Sequence, residues 1–178
     1  MPIREMFATR APVRDIPEIA APGLYAIFAR AGVPLGAIHL PDDGIVYIGQ
    51  SGNLAQRNHF RAVHSGFHSP RRSMGAILKE SLNLKPIPRS LGRSKTNYDR
   101  FRFTDEGEAA LSAWMAENLE YAIFPATGDL LAMEGQAIRS AEPPLNLNKW
   151  KNPQKTLIES LRKVCKDEAK AVWARMGR

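Results

Sequence analysis

The period of apolar and polar positions changes several times along the chain, and each change marks an element. Leu24, Ala26 and Phe28 alternate with Tyr25 and Ile27, which predicts a strand over 23–30 with both faces covered. A second apolar run, Ile45 to Ile48, ends in Gly49 and a polar turn from Gln50 to Asn53, predicting a strand over 45–49. Between them, Gly32, Pro34, Gly36, Pro41 and Asp42-Asp43 give turn chemistry without a helical period, so the two strands are read as an antiparallel pair. Asn53 suits the N-cap of a helix over 54–65, with Leu54, Arg57, Phe60, Arg61 and His64 near one another. Met74, Ile77, Leu78 and Leu82 predict a helix over 71–82.

Residues 83–97 carry Pro86, Pro88 and Gly92 among Lys85, Arg89, Arg93 and Lys95, the composition of a basic, mobile loop. Alternation over 98–103 predicts a strand, and Thr104 caps a helix running to about Leu119. Tyr121-Ala122-Ile123-Phe124 is a third apolar strand. Thr127 or Asp129 opens a helix to about Ser140, which Pro143-Pro144 stops. Pro153 to Met176 forms a long amphipathic helix, with Leu157, Ile158, Leu161, Val164, Cys165, Val172, Trp173 and Met176 inward and Lys155, Lys163, Lys166, Lys170 and Arg175 outward. Pro2, Pro12, Pro17 and Pro22 keep 1–21 irregular. The sum is an α+β fold with a small, largely antiparallel sheet of about three strands flanked by helices. No repeat divides it, so one domain is expected over 1–178, with a core at 22–150 and a C-terminal helix at 153–176.

Composition adds a partner to this picture. The chain has 178 residues, 44% hydrophobic and 24% charged, with a formal charge of +7 and a pI near 9.8. A basic balance favours a polyanion, nucleic acid before an anionic membrane surface. No apolar run reaches membrane-spanning length and Met1 to Met6 has no secretory core, so cytoplasmic placement is expected, nucleoid-associated in a prokaryote. The single cysteine, Cys165, excludes a disulfide framework and reads as a buried thiol. His59, His64 and His68 are poorly spaced for one metal. There is no phosphate-binding glycine loop, no Gly-x-Ser-x-Gly and no His-Glu-x-x-His.

Several residues carry a functional reading beside a structural one, Glu134 for instance as a flank-facing carboxylate that reaches solvent or pairs with an arginine. Glu134 falls on an apolar helix stripe with Leu130 and Ile138, where a carboxylate needs a cation or hydrogen-bond partner. Arg71 and Arg72 sit in a helix's first turn, the wrong sign for its dipole; they read either as solvated surface arginines or as contacts to an external anion. With Arg89, Arg93 and Lys95 they are the candidate nucleic-acid contacts.

Taken jointly, the residues resemble the GIY-YIG nuclease superfamily. Its two name-giving motifs appear as Gly23-Leu24-Tyr25 and Tyr47-Ile48-Gly49, with Leu24 for the middle isoleucine. The run from Tyr47 to Arg57 is similar to the family's strand, turn and helix, with the arginine ten positions after the second tyrosine. Glu134 matches the family's metal-binding glutamate, and Asn146 in Pro144-Leu145-Asn146 matches the asparagine that follows it. The resemblance covers roughly 22–150. It departs from the family one turn after Arg57. Arg61 stands there where many members carry histidine or tyrosine, with His64 a turn further on; Arg61 and His64 are the candidate helpers. It departs again in the longer stretch before Glu134, which holds an extra helix, a basic loop and a strand.

The resemblance implies a metal-dependent endonuclease acting on phosphodiester bonds. Glu134 would hold one Mg2+ (or Mn2+), a hard cation suited to a lone carboxylate with waters and phosphate oxygens. Tyr25 would activate or place the water, Tyr47 would orient the water or phosphate, Arg57 would bind the scissile phosphate and Asn146 would position Glu134 or the backbone nearby. Double-stranded or branched DNA is the expected substrate. The competing expectations are a non-cleaving nucleic-acid-binding module of the same fold and a basic scaffold whose long helix docks a partner.

Overall fold

The computed structural model describes residues 7, 8, 10–12, 15, 17–56, 64–90, 94 and 96–176. In chain order the strands are Ala11–Pro12 (β1), Gly23–Ala29 (β2), Ile45–Ser51 (β3), Pro86–Ile87 (β4), Arg102–Phe103 (β5) and Leu119–Pro125 (β6). The α-helices are Ser69–Ile77 (α1), Thr96–Asp99 (α2), Asp105–Asn118 (α3), Leu130–Ala141 (α4) and Lys155–Arg175 (α5). The chain divides into two units, residues 1–60 with 114–153 and residues 61–113 with 154–178.

The first unit is organised by β2, whose seven residues are all buried, as its double-sided apolar pattern predicts. It lies inside an antiparallel sheet of order β1-β6-β2-β3. The three expected strands are joined by β1, whose Pro12 stands opposite Glu120; proline is tolerated there because β1 is an edge. Strand alternation sorts the side chains. Leu24, Ala26, Phe28, Ile48 and Ala122 form one apolar face, covered by Ala137 and Ile138 of α4 with Phe7 and the half-buried Trp150. Tyr25, Ile27, Tyr47, Gly49 and Tyr121 fall on the other face. Asp129, rather than Thr127, caps α4: its Oδ1 accepts from Ala132 N at 3.0 Å.

The second unit contains the predicted insertion. Pro70 starts α1 inside its first turn, where a missing N–H costs nothing. The helix stops at Ile77 instead of reaching Leu82, because the chain turns back there. Leu84 N donates to Lys79 O at 2.8 Å and Asn83 takes φ 50. Residues 98–103 are not one strand: α2 takes 96–99, and only Arg102–Phe103 pairs, with β4. Burial still alternates, since Phe101 and Phe103 are buried while Arg100 is exposed. Thr104 Oγ1 accepts from Gly107 N at 3.3 Å, the expected cap of α3.

The long helix α5 packs along α1, β4 and α2. Its buried stripe is narrower than expected, consisting of Ile158, Cys165 and Ala169; Leu157, Val164 and Met176 are exposed. Neighbours on one side cover only a limited arc of a helix, so the flanks stay in solvent. Burial pushes the Cys165 thiol up to about 12, which makes it a packing group and not a nucleophile. Of the expected helix over 54–65, Leu54–Gln56 forms a 3-10 turn in the first unit and Ser65–Phe67 another in the second. Residues 57–63 lie outside the described residues. Among the described residues, no helix is long and apolar enough to cross a membrane.

Candidate active site

The register of β2 against β3 sets Tyr25 opposite Gly49 and Ile27 opposite Tyr47. Tyr25 therefore points at a position with no side chain and lays its phenol across β3. A Cβ built on Gly49 would lie 2.4 Å from both Cζ and Oη of Tyr25. This close approach is the physical reason for glycine after Tyr47-Ile48: the ring occupies the space that any other residue would fill. Tyr25 is buried at 3% exposure and Tyr47 is half-buried. Their ring centroids are 6.1 Å apart and tilted by 38°. Tyr121 of β6 stacks on the far side of Tyr25, at 5.5 Å and 15°. The two motif tyrosines are thus part of a row of three, and Tyr121 is a member the sequence reading passed over. Its signal was available, since it alternates onto the same face. Gly23 of the first motif is also a close approach, with its Cβ position 2.2 Å from Phe124 O.

β3 ends the sheet order, so one side of its backbone faces away from β2. Asn146 closes that edge. Ile48 N donates to its Oδ1 at 2.8 Å, and its Nδ2 donates to Ile48 O at 2.9 Å. Leu145 N adds a bond to Val46 O at 3.0 Å. The buried amide thus replaces a neighbouring strand next to Tyr47. The loop carrying it is tied down in turn, because Trp150 Nε1 donates to Asn146 O at 2.8 Å and Asn152 Nδ2 donates to Pro144 O at 2.7 Å. Asn146 acts on the backbone of β3 and so positions Tyr47.

Glu134 lies one turn before Ile138 on α4, with its side chain 12% exposed. The cation its burial demands is Lys149, whose Nζ donates to Glu134 Oε2. Lys149 holds φ 76, left-handed backbone that a lysine adopts only at a cost. It sits three residues beyond Asn146, in the loop that Asn146 and Trp150 anchor. The sequence reading missed it because an exposed lysine in a polar loop has no periodicity to betray a partner. The structure therefore joins Tyr25 to Tyr47, Asn146 to the strand bearing Tyr47, and Glu134 to a lysine from the Asn146 loop. Arg57 and Arg61 lie outside the described residues.

The basic candidates belong to the second unit, and one of them needs correcting. Arg71 does not face an external anion: it is 0% exposed. Its Nε and Nη2 donate to Glu108 Oε2 at 3.0 and 2.9 Å, and Nη2 also reaches Ser112 Oγ at 2.7 Å. The anion its position called for is internal, supplied from the first turn of α3. Arg72 is also buried, at 8% exposure. Arg89 is half-buried, with its guanidinium 4.8 Å from the Phe67 ring centroid. Arg93 and Lys95 lie outside the described residues. His64 caps the Ser65–Phe67 turn, its Nδ1 accepting from Gly66 N at 3.2 Å. Its pKa is lowered, first by burial and then by Arg102, which keeps the imidazole neutral and able to accept.

Among the described residues no three His, Cys, Asp or Glu side chains cluster as a metal cage. Glu134 alone suits a cation that keeps most of its own waters, which is the behaviour of magnesium. The carboxylate is already paired with the Lys149 ammonium, so a cation bound there would have to displace or share with that lysine.

Comparison with curated proteins and with solved structures gives no match. The family model of the GIY-YIG catalytic domain matches residues 23–167, a span that begins at Gly23 and takes in Tyr25, Tyr47, Arg57, Glu134 and Asn146. With that match over most of its length, and a phenol laid over the glycine of its second motif, the chain belongs to the GIY-YIG catalytic domain family.

Proposed function

We propose that the protein is a metal-dependent endonuclease hydrolysing phosphodiester bonds in DNA, duplex or branched. Family membership supports a nuclease-type function in general. The observation that carries the finer reading is the placement of Tyr25 and Tyr47 in ring contact beside the edge of β3 that Asn146 closes. Tyr25 positions the attacking water and, as the phenolate that a nearby cation or arginine would favour, takes its proton to become the neutral phenol. Tyr47 orients the water or a phosphate oxygen from the half-exposed position beside it. Arg57, ten residues after Tyr47, binds the scissile phosphate and neutralises the charge that grows in the transition state. Glu134 would hold a divalent cation, magnesium or manganese, which would supply positive charge to offset that of the reacting phosphate. Asn146 keeps β3, and so Tyr47, in register.

The test is nicking of a supercoiled plasmid in magnesium against EDTA, with Glu134→Ala as the control. Metal-dependent nicking by the parent and none by the variant is expected, with DNA binding retained. Full cleavage by Glu134→Ala would remove Glu134 from the mechanism. The non-cleaving nucleic-acid-binding reading draws support from one observation, the lysine already seated on Glu134. A parent that binds DNA and nicks in neither magnesium nor manganese would establish it.

A further inference from the structure

Arg71 and Arg72 are adjacent and both buried, yet they are treated differently. Arg71 has Glu108. Arg72 has no carboxylate partner among the described residues. Its Nη1 donates to Gly66 O at 2.9 Å and weakly to Ser65 O at 3.5 Å, while its Nε is buried with no hydrogen-bond partner. A buried charged donor left unmade is costly, so the Arg72 guanidinium is only partly compensated within the fold and an anion beside it would be stabilising.

Further arginines surround it. Arg89 lies against the same glycine as Arg72: a Cβ on Gly66 would sit 2.5 Å from Arg89 Cγ. Arg100 follows α2, and the half-buried Arg162 projects from α5, which packs on α1 and α2. Burial first, then Arg162, Arg100 and Arg89, bring the pKa of Arg72 down to about 10, so the group stays charged among like charges. Burial also lowers Arg162, against which Glu159 is the acid that acts. Beside this cluster Phe67 is 67% exposed, an unusual position for a large ring, flanked by Arg89 and by His64 at 5.0 Å. Guanidiniums near enough for their charges to act on Arg72 suit a phosphate, and an exposed ring beside Arg89 suits a base.

We propose that Arg72, Arg89, Arg100 and Arg162 hold a phosphodiester group of a DNA strand, with Phe67 offering its ring to an unpaired base beside it. The proposal rests on the nucleic-acid substrate argued above and adds a preference for DNA with single-stranded character. It is tested with the full-length protein by fluorescence anisotropy in EDTA, so that binding is read without cleavage. The probes are a plain duplex and the same duplex carrying a single-stranded flap. Arg100 is exposed, so Arg100→Gln tolerates the change, and Arg72→Lys keeps a charge in the buried position. The double variant Arg100→Gln/Arg162→Gln should weaken binding about tenfold and reduce the slope of log K against log salt by about two. Phe67→Ala should lose about tenfold on the flap and little on the duplex.

Affinities and salt slopes within about twofold of the parent for the folded arginine variants would overturn the pocket. So would a parent that does not bind either DNA. A parent that binds through these arginines but never nicks would overturn the cleavage reading alone. A parent that nicks, with binding indifferent to the arginines, would overturn the pocket alone.

Discussion

Glu108→Gln is the sharpest test of how the second unit is held. The carboxylate accepts from Ser65 N and Phe103 N through Oε1 at 2.9 and 3.0 Å, and from Ser65 Oγ and both Arg71 nitrogens through Oε2 at 2.9–3.0 Å. Glutamine keeps the shape and removes one acceptor whichever way the amide turns. With NH2 toward Arg71, two charge-assisted bonds are lost, donor faces donor, and a fully buried guanidinium is left uncompensated. With NH2 toward Ser65 and Phe103, two buried backbone N–H groups lose their acceptor at about 1–3 kcal/mol each. Either orientation leads to a loss of about 3–5 kcal/mol, the range for breaking a buried ion pair from one side.

Urea unfolding followed by far-UV circular dichroism reads this as a fall in midpoint at unchanged slope. The double variant Arg71→Met/Glu108→Leu should recover much of the loss, since removing both partners leaves no orphaned charge. Arg71→Met in the intact protein should likewise cost stability rather than salt-dependent DNA affinity. A Glu108→Gln protein within about 1 kcal/mol of the parent would refute the reasoning, because a carboxylate accepting this many bonds cannot be dispensable.

Three further expectations follow from the first unit and from His64. Gly49→Ala places a methyl 2.4 Å from the Tyr25 ring, so the ring must move; a stability loss of about 1–3 kcal/mol and loss of plasmid nicking are expected, and an unaltered nicking rate would show that the placement of Tyr25 is unimportant. Asn146→Asp exchanges the donor to Ile48 O for a second acceptor; it should cost about 1–3 kcal/mol in thermal or urea unfolding, and a neutral result would mean that the β3 edge does not depend on the amide. The lowered pKa of His64 gives a signed pH dependence. The neutral form is favoured in the fold, so its contribution is complete above the ordinary value of 6.5 and is lost as pH falls below that through the lowered folded value. Thermal melts across this window should lose the corresponding part of their pH dependence in His64→Asn, which still offers an acceptor to Gly66 N.

What was legible in the sequence was whatever a single element decides. β2 was readable because a strand covered on both faces needs apolar residues at every position, and α4 because its inward stripe and its cap lie within one helix. The family motif was readable as letters, but its reason was not. Gly49 matters because the register sets it opposite Tyr25, and register belongs to two strands at once. Glu134 advertised a need for a cation and could not name Lys149, which reaches it from a loop residue in left-handed backbone.

Arg71 and Arg72 show where such reading stops. The two are identical and adjacent, in the same helical turn, and the sequence assigned them one role. Adjacent residues on a helix point about 100° apart, so they meet different neighbours. One meets Glu108, 37 residues away in the chain, and becomes part of the core. The other meets Gly66 and is left among arginines with a donor unmet. The charge pattern alone treated the two alike and could not say that Arg71 takes an internal anion. Only the tertiary neighbours separate the arginine paired with Glu108 from the one that lacks a carboxylate among the described residues.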